Sequence, residues 1–188
     1  MIYDTLVTTV NQKILQFLTK YTDKEFHERE IVRRIGVSSG SANRALNALF
    51  ATGAVKRRQE WRMLFYSIDS SNPAITEFKK LINILLIESL TQQLKNVSKR
   101  IILYGSCAQG TDNSKSDVDI FIVTNERDRV IRIIDNFHFP QGYEGLHVQA
   151  IIKTPTELLK IGESEQVFLN EVEKGITLWE SAANESRI

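Results

Sequence analysis

A chain of 188 residues, 42% hydrophobic and 25% charged, holds enough apolar residues for one large or two small domains. Its single cysteine, Cys107, excludes an internal disulfide, and with neither a signal-peptide pattern nor an apolar run of membrane-spanning length we expect a cytoplasmic protein with no membrane partner. The formal net charge of +1 hides an asymmetry: residues 1–70 carry 11 Lys+Arg against 7 Asp+Glu, a net of +4, and residues 71–188 carry 13 against 16, a net of −3. The two halves suit different partners.

In the basic half, Leu6, Val7, Val10, Ile14, Leu15, Phe17 and Leu18 recur at helical spacing, which predicts a helix over Thr5 to Leu18. A second helix is expected from Glu28 to Ile35, broken by Gly36. Ser38 or Ser39 then caps a third to about Thr52, with Ala42, Ala45, Leu46, Leu49 and Phe50 as its apolar stripe and Gly53 as its stop. Residues Ala54 to Ile68 read as a hairpin with its tip near Gln59 to Arg62. This order, and the run from Ile31 to Leu46 in particular, resembles the winged helix-turn-helix of MarR- and ArsR-type regulators. The resemblance implies double-stranded DNA as a partner. Ser39, Ser41, Asn43, Arg44 and Asn47 are the third-helix side chains away from the stripe, suited to base edges and phosphates in a major groove. Lys56, Arg57, Arg58 and Arg62 place charge on or beside the wing. The competing reading is a winged helix used only for protein contacts.

Ser70 to Pro73 forms a linker, after which Ala74 to about Lys95 reads as one long helix. Its apolar positions, among them Ile75, Phe78, Leu81, Leu85, Leu90 and Leu94, exceed one face. We therefore expect cover on more than one side, and a homodimer of the kind that matches two DNA half-sites, with a purely internal core helix as the rival.

The stretch Lys99 to Val123 is the most informative of the chain. An apolar strand, Ile101 to Tyr104, leads to Gly105-Ser106 and a short helix; Gly110 follows, then a polar loop and a second strand that opens Asp117-Val118-Asp119. Side chains alternate along a strand, so Asp117 and Asp119 share a face, and two carboxylates so placed can share a divalent cation. Glycine before serine lets backbone approach a ligand, and the helix start offers unpaired N–H groups to phosphates. These residues resemble the nucleotidyltransferases of the DNA polymerase beta type, in their small, minimal branch. The resemblance implies a site for a nucleoside triphosphate and Mg²⁺ (or Mn²⁺): Gly105, Ser106, Gly110 and Ser116 hold the nucleotide, and Asp117 and Asp119 hold the metal and serve catalysis.

Beyond Val123, Asp128 to Phe137 reads as a helix and Leu146 to Ile152 as a strand. Thr154-Pro155-Thr156-Glu157 is a capping box for a helix to about Ile161. Glu165 to Lys174 reads as a last helix before Gly175 and a strand from Ile176 to Trp179. The expected fold class is α+β: a winged helix domain over residues 1–70, a connecting and dimerisation helix over 71–97, and a mixed-sheet nucleotidyltransferase-like domain over 98–188.

One position departs from the family's pattern. The third metal carboxylate belongs on the strand Leu146 to Ile152, and Gln149 stands there; an amide coordinates weakly and accepts no proton near neutral pH. His147 lies two residues away on the same strand face, and Glu144 precedes it in the turn. The leading reading is a DNA-binding regulator whose nucleotidyltransferase-fold domain binds Mg-NTP, with transfer of a nucleoside monophosphate to a hydroxyl as the implied chemistry. The alternatives are a catalytically silent nucleotide sensor and an antitoxin-like minimal nucleotidyltransferase.

Overall fold

The computed structural model describes residues 5–160 and 162–181. Two compact units emerge, residues 1–82 with 110–115 and residues 83–109 with 116–188.

In the first unit, α1 runs from Val10 to Lys20. It begins later than the apolar spacing predicts because Thr9 and Gln12 close a capping box: the Thr9 side chain accepts from the Gln12 N–H, and Gln12 Oε1 accepts from the Thr9 N–H at 2.9 Å. After the short strand β1, Phe26–His27, α2 spans Glu28–Ile35 as expected and ends on Gly36 at φ +66°. Ser38 caps α3, Ser39–Ala51, by accepting from the Ser41 N–H at 3.2 Å. The hairpin strands are β2, Val55–Glu60, and β3, Met63–Ile68. They join β1 in an antiparallel three-stranded sheet of order β1-β3-β2. Ile14 and Leu18 from α1, Ile31 from α2, Leu46 from α3 and Tyr66 from β3 are wholly buried in one core. Three helices closed by a two-stranded wing on a short third strand make this unit a winged helix.

The predicted long helix is interrupted. Helix α4 covers Pro73–Leu86 and α5 covers Glu88–Leu94, with Ile87 between them at φ −106°, ψ 8°. Its N–H turns back to the Ile84 carbonyl at 3.3 Å, a tight turn that no proline or glycine announces. Ile87, Leu90 and Leu94 are fully buried in the core of the second unit, while Leu81 alone among the large apolar residues of α4 and α5 is exposed. The apolar excess that suggested a second copy is thus covered within the chain.

The second unit is a four-stranded sheet of order β6-β5-β4-β7. Strand β4, Arg100–Leu103, leads to α6, Gly105–Gln109, and β5 is Val118–Val123. Helix α7, Arg127–Asp135, provides the crossover to β6, Val148–Lys153, which lies parallel to β5. Thr154 and Glu157 form the expected capping box of the next helix, Pro155–Leu158 (α8), which stops short of the predicted Ile161, a residue outside the described ones. Helix α9, Glu163–Glu173, and β7, Ile176–Glu180, complete the fold, β4 running antiparallel to both β5 and β7. One face of the sheet packs on Ile87, Leu90, Leu94 and Val130, and Ile102, Phe121 and Val123 on the other pack with Val172 and Phe168. Gly175 allows the tight approach of α9's end to β4: a Cβ there would overlap the Leu103 carbonyl oxygen. The chain is α+β, with its acidic motif at the junction of β4, α6 and β5. No helix among the described residues is long and apolar enough to cross a membrane.

Candidate functional site

The end of β4 and the start of β5 hold the motif together. Tyr104 donates its N–H to the Asp119 carbonyl at 3.0 Å, extending the β4–β5 ladder up to the turn. Gly105 follows at φ +67°, and a Cβ built on it would lie 2.6 Å from Asp119 Oδ2. Two constraints therefore select glycine: a left-handed backbone and a carboxylate pressed on its Cα. From α6, the buried Cys107 thiol donates to the Asp117 carbonyl oxygen at 3.4 Å, which fixes the residue just before β5. Cys107 thus acts in packing, as its lone occurrence suggests.

Asp117 is exposed and Asp119 half-buried. Burial, and then the neighbouring Asp117 charge, push the Asp119 carboxyl above its ordinary value. The Tyr104 phenol is raised as well, by burial and then by the Asp119 charge, so its ring belongs to the same cluster. Neither aspartate side chain accepts a hydrogen bond or pairs with a cation among the described residues. Two mutually repelling carboxylates without a partner are a donor set suited to a hard divalent cation.

The parallel register pairs Asp119 with Gln149. Partners in register share a sheet face, so the amide stands beside Asp119 at the position where the resemblance places a third acid. His147 and Gln149 are both exposed. The His147 carbonyl accepts from the Val118 N–H at 2.9 Å. Glu144 is engaged in its own turn, accepting from the Gly142 N–H at 2.8 Å. Among the described residues no three His, Cys, Asp or Glu side chains gather as a metal site.

Ser106 and Ser116 are half-buried at either end of the α6 to β5 segment. Gly110, expected to hold the nucleotide, has a packing constraint of its own. At φ +71° its Cα packs on α4, where a Cβ would sit 2.7 Å from the Thr76 carbonyl oxygen. The following loop is pinned to the same helix by Lys79, which is buried, donates to the Asp112 carbonyl and lies 3.4 Å from Asp112 Oδ1. Sequence reasoning missed both Tyr104 and Lys79. The signals were an aromatic residue directly before Gly-Ser and a lysine inside an apolar helical run.

On the winged helix, Ser39, Asn43, Arg44 and Asn47 are exposed on α3 and Ser41 is half-buried. Two separate sets of contacts form among them: Arg44 donates to Ser41 Oγ at 3.4 Å, while Asn47 donates to Asn43 Oδ1 at 3.1 Å and Arg57 from the wing to Asn47 Oδ1 at 3.0 Å. Arg57 also stacks 4.0 Å above the Phe50 ring. Two other wing cations have anionic partners. Lys56 pairs with Asp69 at 2.9 Å, and Arg58 with Glu25 and Glu60, each at 2.7 Å. Arg62, in the wing turn, makes no ion pair among the described residues.

With this geometry in hand, the family comparison is decisive: the model of the nucleotidyltransferase domain matches residues 84–175. Residues 84–175 are a nucleotidyltransferase domain. The match takes in α5, the Gly105-Ser106 turn, the aspartate pair and the strand bearing Gln149. Among solved structures, reduced HlyU from Vibrio cholerae N16961 is 30% identical over 41% of this chain and 75% of its own, at a TM-score of 0.31. NolR from Sinorhizobium fredii is 14% identical over 44% and 79%, at 0.35. Rv0081 of M. tuberculosis is 22% identical over 49% and 88%, at 0.36. The winged-helix assignment of the first unit rests on its own element order and sheet. Among curated proteins none matches the chain.

Proposed function

We propose that this protein is a DNA-binding regulator whose nucleotidyltransferase domain binds a nucleoside triphosphate with Mg²⁺ or Mn²⁺. The observation that carries the nucleotide reading is the pair Asp117 and Asp119, which lacks any partner side chain and of which Asp119 lies against Gly105. The aspartates would hold the metal, and Gly105, Ser106 and Ser116 would meet the phosphates through backbone N–H groups and hydroxyls. A bound divalent ion supplies charge neutralisation for the triphosphate and for the carboxylate pair. Asp119 must be ionised to bind it, so the raised carboxyl makes binding weaken as pH falls towards that value.

DNA binding is supported by the polar face of α3 and by its link through Arg57 to the wing. Arg44 and Arg62 would meet phosphates or bases directly. Lys56 and Arg58 would exchange exposed ion pairs for phosphate, a small penalty because such pairs contribute little in water. A dimer remains part of this proposal through half-site symmetry alone.

A second reading, a nucleotide sensor without transfer chemistry, is favoured by Gln149 in register with Asp119. Gln149 accepts no proton from an attacking hydroxyl, so the resident groups support binding ahead of turnover. Incubation with each alpha-labelled NTP and Mg²⁺ or Mn²⁺ separates the two, with Asp117→Asn/Asp119→Asn as control. Metal-dependent binding without pyrophosphate release leaves the sensor; release that the double variant abolishes establishes transfer. Absence of metal-dependent NTP binding sinks both.

A further inference from the structure

The wing turn consists of Trp61 and Arg62, between the paired residues Glu60 and Met63. Trp61 is 90% exposed, and Met63 beside it is 45% exposed. Trp61 is also the only non-glycine residue with positive φ among the described residues, at +56°. A two-residue hairpin turn with positive φ at its first position favours glycine, asparagine or aspartate, and a bulky residue there is strained. The largest side chain in the repertoire thus occupies a position that glycine would hold at lower free energy, and it is left in water. Neither choice serves the fold, since Trp61 belongs to no core cluster. Strain and exposure coinciding on one side chain point to use by a partner.

Charge around the turn selects the kind of partner. Arg58 cancels Glu60 at 2.7 Å, and Arg62, adjacent to Trp61, makes no ion pair among the described residues. The tip therefore presents an indole, a thioether and an uncompensated guanidinium. Apolar side chains beside one uncompensated arginine match a minor groove, where wedges enter between base pairs and arginine meets phosphates.

We propose that Trp61 is a minor-groove wedge: the indole stacks on or between base pairs beneath the wing and bends the duplex, while Arg62 holds the adjacent backbone. This rests on the DNA-binding reading above and adds a mode of contact and a distortion to it.

The full-length protein is titrated into an A·T-rich duplex with a central TA step, a step that kinks easily, bearing a donor and an acceptor dye at its ends. Binding of the wild type is expected to bend the duplex by tens of degrees, to quench Trp61 emission and to shield it from acrylamide; Trp61→Phe identifies its share against Trp179. Trp61→Gly removes the wedge while relaxing the turn, so its melting temperature should match or exceed the wild type and misfolding cannot explain a loss. It is expected to lose the bend and about 10-fold in affinity, the scale of one stacking contact, with an unchanged salt slope. Trp61→Phe should restore most of both, and Arg62→Ala should lower the salt slope by about 1. DNA binding with an unaltered Trp61 signal, or a Trp61→Gly protein that binds and bends as the wild type does, overturns the wedge and leaves the tip for a protein partner. No binding by the wild type at low salt removes the DNA reading itself and the wedge with it.

Discussion

The two units treat polar side chains in opposite ways. On the winged helix, Arg44 bonds to Ser41, Asn43, Asn47 and Arg57 form a bonded series, and Lys56 and Arg58 carry their own carboxylate partners. In the nucleotidyltransferase domain the two aspartates repel each other, and Asp119 presses on Gly105, without a compensating side chain. A surface whose groups are already paired can exchange those partners for a large ligand at little cost, residue by residue. A site with uncompensated like charges is poised for one small ligand of opposite charge, and it is less stable until that ligand arrives.

The contrast can be broken most forcefully at the aspartates. Asp117→Asn/Asp119→Asn is expected to weaken metal-dependent NTP binding by about 100-fold or more, by calorimetry, because each lost carboxylate removes a charged ligand; DNA affinity should stay as it was. Gly105→Ala comes next. The added methyl meets Asp119 Oδ2 on a left-handed backbone, so a loss of about 2–3 kcal/mol is expected in urea unfolding, from strain and overpacking together. Arg44→Ala should weaken DNA binding about 10-fold, the scale of one good base or phosphate contact, and leave nucleotide binding untouched. Equal binding over a series of salt concentrations would remove α3 from the interface.

The smallest effects concern pH, and they run in opposite directions in the two units. Asp69, beside the winged helix, is lowered to about 2 by the Ser71 hydroxyl, Lys56 and the Ser71 N–H. Its contribution is present above 3.8 and is lost as pH falls through about 2. Asp119 is raised, so its favourable contribution is complete below 3.8 and disappears as pH rises through the folded value. Metal-free Asp119→Asn should therefore melt above the wild type at neutral pH, with the gap closing as acid is added. Mg²⁺ with nucleotide should raise the wild type and leave the variant where it is.

Much of this was legible in the sequence because it depends on local chemistry. Helix α2 follows from its spacing and Gly36, the Thr154 cap from Thr-x-x-Glu, and the wing from two β-rich runs. The pairing of Gln149 with Asp119 agrees with the strand alignment, since a parallel register on one sheet face leaves few choices. What escaped are features decided by tertiary packing. Ile87 bends the chain because its side chain and those of Leu90 and Leu94 share one core, and apolar periodicity is the same on either side of the bend. The packing of Gly110 on Thr76 is another, since no local pattern announces it. Trp61 falls within the expected hairpin tip, Gln59 to Arg62, but only the backbone angle reveals that it occupies a glycine's place.

Residues 110–115 group with the winged helix although the chain before and after them belongs to the other unit. No single cut yields two intact halves. A fragment ending near residue 82 would strip Lys79 of its Asp112 partner, and one starting there would carry a strip of polypeptide lacking the helix on which it rests. Swapping this winged helix for another by recombination would face the same obstacle, so the six-residue strip makes the fusion hard to undo by any exchange at one junction.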